Sequence, residues 1–137
     1  MKRTGFIFLL QLLVFTLFAF NNSITLTIKI NQIENSDGHI LMVVSDSDGN
    51  TIKEITQIII DNQCTITLGQ LKAGNYAFKY FHDANENQEL DTNLFGIPKE
   101  GYGFSNNAKS TFGPPAFEKT VFSLQNDTIH NCVITYF

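Results

Sequence analysis

Positive charge, helical periodicity, long apolar runs and cysteine are all scarce in this chain, and each shortage removes a class of function. Nine Lys and Arg lie scattered through 137 residues that carry a net charge of -4. No positive field draws in phosphate backbones, acidic glycans or anionic membrane surfaces, so nucleic acid is not an expected partner. No stretch shows a sustained 3.6-residue apolar period, and no repeat, low-complexity tract or linker divides the sequence. One domain without substantial helix is the expectation. The remaining composition, 43% hydrophobic and 16% charged with 13 Phe, is that of a globular β protein rather than a disordered one.

The one long apolar run is Phe6 to Phe20, broken only by Gln11 and Thr16, with Lys2 and Arg3 before it and Asn21, Asn22 and Ser23 after it. A charged head and about 15 apolar residues, fewer than the roughly 20 of a membrane span, is the layout of a secretory signal peptide. A clean small-x-small cleavage site is missing, so an uncleaved N-terminal anchor is the competing reading. Residues 1–22 are thus expected to be signal peptide or anchor and 23–137 the folded domain. That domain is expected outside the cytoplasm, in the periplasm, cell envelope or medium, meeting the membrane only through an uncleaved N-terminal segment. No Cys follows the run to accept a lipid.

Ile24, Leu26, Ile28 and Ile30 alternate with Thr25, Thr27 and Lys29, the period of a strand with one buried face. Asn35-Ser-Asp-Gly38 supplies tight-turn chemistry before a second strand, Ile40 to Val44, and the two are expected to form a hairpin. Asp46-Ser-Asp-Gly-Asn50 is a further hairpin turn, short for an ion loop. Ile52 to Ile60, Cys64 to Leu68 and Tyr76 to Phe81 follow as strands, the last with Tyr76, Phe78 and Tyr80 on one face. Lys119 to Leu124 and Ile129 to Phe137 complete about seven strands. The predicted fold is all-β, an antiparallel β-sandwich with one long loop. Cys64 and Cys132 both lie in these strands facing the interior, candidates for a disulfide in an exported chain, with buried free thiols as the alternative.

The long loop, His82 to Gly113, concentrates acids, amides, glycines and aromatics. Asp83, Asn85, Asn87 and Asp91 occupy positions 1, 3, 5 and 9 of a twelve-residue calcium loop, and Glu89 at position 7 would offer its carbonyl. Position 6 is Gln88 rather than Gly and position 12 is Leu94 rather than Glu, so Glu100 or a later carbonyl would have to close the shell. Calcium and a loop held by its own Asx turns both remain open. Tyr102, Phe104 and Asn106 form a candidate surface for a protein or glycan ligand, with packing of the two rings over the sandwich end as the alternative. His82 beside Asp83, with Glu100, is the best catalytic candidate, and a strand-ending histidine that hydrogen-bonds the loop is the simpler reading. Ser105 lacks the second glycine of a nucleophile elbow. His39 and His130 adjoin turns and are expected to be solvated.

The run Phe81-His-Asp-Ala-Asn-Glu-Asn, then Leu90-Asp-Thr-Asn, Gly96-Ile-Pro-Lys-Glu-Gly-Tyr-Gly-Phe-Ser-Asn and Gly113-Pro-Pro-Ala-Phe-Glu resembles the bacterial family catalogued as domain of unknown function 2141. The resemblance covers nearly all of the part after the apolar run. It implies a small exported bacterial domain, a sandwich of the prealbumin or immunoglobulin kind, with no established activity, and it supplies no catalytic residues to carry over. Where the family pattern usually has Asn-Gly, this chain has Asn87-Gln88.

Three functions are therefore in view. The first is a non-catalytic exported sandwich whose loop binds a partner, with calcium as its one candidate cofactor. A small extracytoplasmic enzyme using His82 with Asp83 or Glu100 is the second, and a structural domain of a cell-envelope assembly with an open strand edge is the third.

Overall fold

A computed structural model describes residues 22–109 and 111–137. The expected signal peptide or anchor, apart from Asn22, lies outside the described residues. Among the described residues no helix is long and apolar enough to cross a membrane.

The chain forms β1 (Ile24–Asn31), β2 (His39–Asp46), β3 (Thr51–Ile58), β4 (Cys64–Leu71), β5 (Gly74–Asp83) and β6 (Tyr102–Phe104). A 3₁₀ turn at Ser105–Asn107 and a one-turn helix α1 (Phe117–Thr120) lead into β7 (Phe122–Leu124) and β8 (Thr128–Val133). One sheet has the order β4-β1-β8, and the other β3-β2-β5-β6 with β7 on β5 as well. This is the expected all-β sandwich, built from eight strands.

Alternation explains which side chains fill it. Leu26, Ile28 and Ile30 of β1 are 0% exposed and face Ile40, Met42 and Val44 of β2, all at most 1% exposed, with Phe78, Tyr80 and Leu124 from the same second sheet. Each such side chain contributes about 1.5–3 kcal/mol through burial. Polar Thr25, Thr27 and Lys29 point out, so a register slip of one residue would invert the sheet.

Two expectations about pairing and one about a strand are corrected. β1 and β2 do not form a hairpin, because the segment between them crosses from one sheet to the other and buries Ile33 on the way. β1 and β8 run parallel, from Leu26 opposite Thr128 to Asn31 opposite Val133, so the sandwich is not antiparallel throughout. Lys119 and Thr120, expected to begin a strand, lie instead in α1, where the Thr120 hydroxyl donates to the Phe117 carbonyl at 2.6 Å. The turns behave as their chemistry requires. Asp46 accepts from the Asp48 and Asn50 amides, closing the β2–β3 hairpin. Asp61 and Asn62 take φ 51° and 58° between Ile60 and Gln63, the doubly left-handed turn that Asx residues tolerate.

The bridge expected between Cys64 and Cys132 is absent, and both are buried free thiols. Both do face inward, but each is the neighbour of Ile30, Cys64 across one edge of β1 and Cys132 across the other. Two strand spacings of about 4.8 Å separate their backbones, beyond the reach of a disulfide. Burial pushes each thiol up to about 11.

Candidate functional site

The segment from His82 to Gly113 is not one loop but a series of small, hydrogen-bonded units. Its foundation is His82, 2% exposed at the end of β5. The Nε2 lies 2.7 Å from the Asp37 carbonyl and the Nδ1 2.9 Å from the Tyr136 hydroxyl. A carbonyl only accepts, so in the neutral ring Nε2 carries the proton and Nδ1 accepts from Tyr136. The Tyr136 oxygen in turn accepts from the Glu34 amide at 3.0 Å. Gly38 lets this corner close: a Cβ there would sit 1.9 Å from the Asp83 carbonyl oxygen.

Asp83, 1% exposed, begins the first unit. Its Oδ1 accepts from the Asn87 amide and its Oδ2 from the Gln88 amide, at 3.1 and 2.8 Å. Asn85 and Asn87 each close an Asx turn, accepting from the amides of Asn87 and Glu89. Their side-chain nitrogens lie 2.7 and 3.1 Å from the two Asp91 oxygens. Of the four side chains expected to meet, Asn85, Asn87 and Asp91 touch one another, while Asp83 holds backbone amides of the same turn. Gln88 takes φ 66° and Glu86 φ 61°, so the backbone makes the left-handed turns without the glycine that the spacing called for. Glu100 folds back to close the ring, accepting from the Ala84 and Asp91 amides at 3.2 and 3.1 Å. Glu89 is exposed, and its side chain points at no member of the cluster in this hydrogen-bond pattern.

In chemical terms the segment offers hard oxygen donors, the carboxylates of Asp83, Asp91 and Glu100 and the amides of Asn85 and Asn87. It fits Ca2+ better than zinc or copper, which want nitrogen or sulfur. Among the described residues no three His, Cys, Asp or Glu side chains gather as a metal group. Two of the five side chains are amides, and the Asx turns already satisfy much of the loop.

A second hairpin follows, with Asn93 accepting from the Phe95 and Ile97 amides and Lys99 donating to the Asp91 carbonyl. The chain then returns to the sheet as β6, pairing Tyr102 with Phe81 and Phe104 with Lys79. That pairing puts Tyr102 and Phe104 on the outer face of the five-stranded sheet, in edge-on contact at 6.0 Å and 78°. With Leu41, Val43, Phe81 and Leu90 they line a groove of about 490 Å3, which Glu54 and Lys79 also border. Burial raises the Tyr102 hydroxyl above its ordinary value. Gly103 faces the other way, where a Cβ would lie 2.3 Å from the Tyr80 ring.

Asn106 does not join that face. Its side chain donates to the Lys119 and Val121 carbonyls at 3.1 and 3.0 Å. It belongs with Ser105, fully buried, which accepts from the Phe78 amide and donates to the Thr120 carbonyl. Asn107 completes this clamp, donating to the Asn131 carbonyl and accepting from the Val133 amide. Three adjacent polar side chains thus replace strand hydrogen bonds between β5, α1 and β8. His130, expected to be solvated, is half-buried against Phe122 at 4.3 Å and Phe78 at 5.8 Å, and desolvation lowers its pKa. The groove itself was not foreseen. Leu41, Val43 and Phe81 are outward, partly apolar positions of strands, a signal available only once the sheet order is known.

Fold and site together define a two-sheet β-sandwich with one elaborated corner that carries both an oxygen-donor cluster and an aromatic edge. The chain belongs to the family described as an uncharacterized protein conserved in bacteria, domain of unknown function 2141, whose model matches residues 28–131. No curated protein and no solved structure matches it.

Proposed function

We propose that this is a non-catalytic, exported binding domain whose His82–Gly113 segment is ordered by calcium and presents one side of a recognition groove. The observation that carries the reading is the continuity of the segment. The chain that gathers Asp83, Asn85, Asn87 and Asp91, with Glu100 closing the ring, goes on directly into β6, which sets Tyr102 and Phe104 beside Phe81. A cation held there by those residues and the Glu89 carbonyl would supply positive charge among the carboxylates and stiffen the wall of the groove. An apolar side chain of a partner protein suits the lining better than a sugar, because Tyr102 and Phe104 meet edge-on rather than forming a flat platform.

A non-catalytic role is supported by the use of the candidate catalytic groups. Both nitrogens of His82 are occupied, and the carboxylates of Asp83 and Glu100 accept backbone amides. Export rests on the apolar run Phe6 to Phe20. The test is capture of partners from bacterial envelope extract by the full chain, compared with a Tyr102→Ser/Phe104→Ser variant, with and without calcium. A partner retained by the native chain alone, and released by chelation, supports the reading. Equal capture by both proteins contradicts it.

A further inference from the structure

We infer that Leu94-Phe95, the tip of the hairpin after Asp91, seats in the groove of a second copy of this chain, each copy filling the other's groove, a contact that rests on the groove being the recognition site proposed above and supplies its partner. Leu94 is 101% exposed and Phe95 87%. The turn that carries them is held on every side: the Asn93 amide donates to the Ile97 carbonyl at 2.8 Å, the Gly96 amide to the Asn93 carbonyl at 3.0 Å, the Asn93 side chain accepts from the Phe95 and Ile97 amides, and Thr92 pairs with Pro98 at the base. Gly96 supplies the φ of 76°. A slack loop would fold its apolar side chains back onto the sheet, whereas this one holds them out in water with little conformational freedom left to lose on docking.

The same chain carries the receptor. Leu41, Val43, Phe81, Leu90, Tyr102 and Phe104 line the groove of about 490 Å3, and since an apolar cavity of about 150 Å3 holds a benzene molecule, the Phe95 ring and the Leu94 side chain fit together. A third ring suits the edge-on pair of Tyr102 and Phe104. Glu54 and Lys79 border the groove and Glu89 and Lys99 flank the hairpin, all four exposed and, among the described residues, none of them in an ion pair. Each tip thus brings one acid and one base to a groove that offers one of each.

Position selects a closed pair. Leu90 lines the groove and stands four positions before Leu94, so tip and groove share one corner, and a two-fold axis beside it fills both grooves at once. Tip and groove on opposite sides would instead run on as a filament. A bilayer is the poorer occupant: the chain enters β1 at Ile24, beside Leu71, while the corner lies past the other end of that eight-residue strand, about 26 Å away, where Glu34 meets Tyr136 and Tyr136 meets His82. The corner also carries Glu86, Glu89, Asp91 and Glu100, which an anionic surface repels.

The test uses the full chain in phosphatidylcholine nanodiscs, so that no free detergent coats the tip. Ile97→Cys beside the tip and Thr56→Cys beside the groove are both exposed positions, and Cys64 and Cys132 are buried. Mixed with a short bis-maleimide, the two variants should link to each other, and adding Leu94→Ser/Phe95→Ser to both chains should slow that link about tenfold or more with the circular dichroism unchanged. Absence of the link, or a rate unmoved by the serines, would overturn the inference. So would Leu94 and Phe95 binding added phosphatidylcholine vesicles in place of a second copy. A chain that forms no such link yet captures an envelope protein through Tyr102 and Phe104 would overturn it too, while leaving the groove as a recognition site.

Discussion

The ring of His82 stands at 89° to that of Tyr136, 54 positions later, and the two are joined by a 2.9 Å hydrogen bond. This contact ties the end of β5, where the elaborated corner begins, to the C-terminal segment, and through Asp37 and Glu34 to the crossover between sheets. Removing the hydroxyl with Tyr136→Phe leaves the buried Nδ1 of His82 and the Glu34 amide without it. The expected cost is about 1–3 kcal/mol, read as a lower urea midpoint at unchanged slope.

Gly103→Ala tests whether β6 must lie this close to the core. The added methyl meets the Tyr80 ring at 2.3 Å, and that ring is fixed by its own 2.7 Å bond to the Val133 carbonyl. A loss of about 1–3 kcal/mol is expected, with amide exchange faster at Tyr102 and Phe104 than at the distant β1.

The two thiols should be silent in the native protein. Both are buried, unbridged and raised to about 11, so a chromogenic disulfide reagent at pH 8 should find almost no thiol until denaturant is added, and two per chain afterwards.

Stability should also report on His130. Desolvation against Phe122 and Phe78 holds its pKa below the ordinary 6.5. The unfolded chain then binds the proton more readily, so this contribution is complete above pH 6.5 and is lost as pH falls below it, levelling off once the folded ring also protonates. His130→Phe should flatten that part of the profile in urea melts between pH 7.5 and 5, relative to the native chain. The depressed carboxyl of Asp46, held down chiefly by the Asn50 side chain, titrates below 3.8 and leaves this window undisturbed.

Much of this architecture is legible in alternation. Ile24 to Ile30 and Tyr76, Phe78 and Tyr80 face inward as their period requires, and Asp46 and Asp61-Asn62 turn where Asx chemistry places them. Alternation says which face is buried but not which strand lies alongside. Hence β1 was expected beside β2 although it pairs with β4 and, in parallel, with β8, more than 100 positions away. The cysteines show the same limit: their inward direction follows from parity, whereas the intervening Ile30 does not. At the corner, the spacing signalled that Asn85, Asn87 and Asp91 come together, while the Ser105–Asn107 clamp has no local signature because its partners come from three separate elements.

A cation held, as proposed, by the oxygen donors after β5 would fix the edge that bears Tyr102 and Phe104, and its binding would stabilise the fold. The most direct measurement is the melting temperature of the full chain in non-ionic detergent, titrated with Ca2+ after chelation and repeated for Asp83→Ala and Asp91→Ala. Saturating calcium at about 100 times its dissociation constant should stabilise the native chain by about 2.7 kcal/mol, raising its melting temperature, and leave both variants unmoved. A native melting temperature that stays constant up to millimolar calcium, or one that rises equally in the two variants, would contradict it.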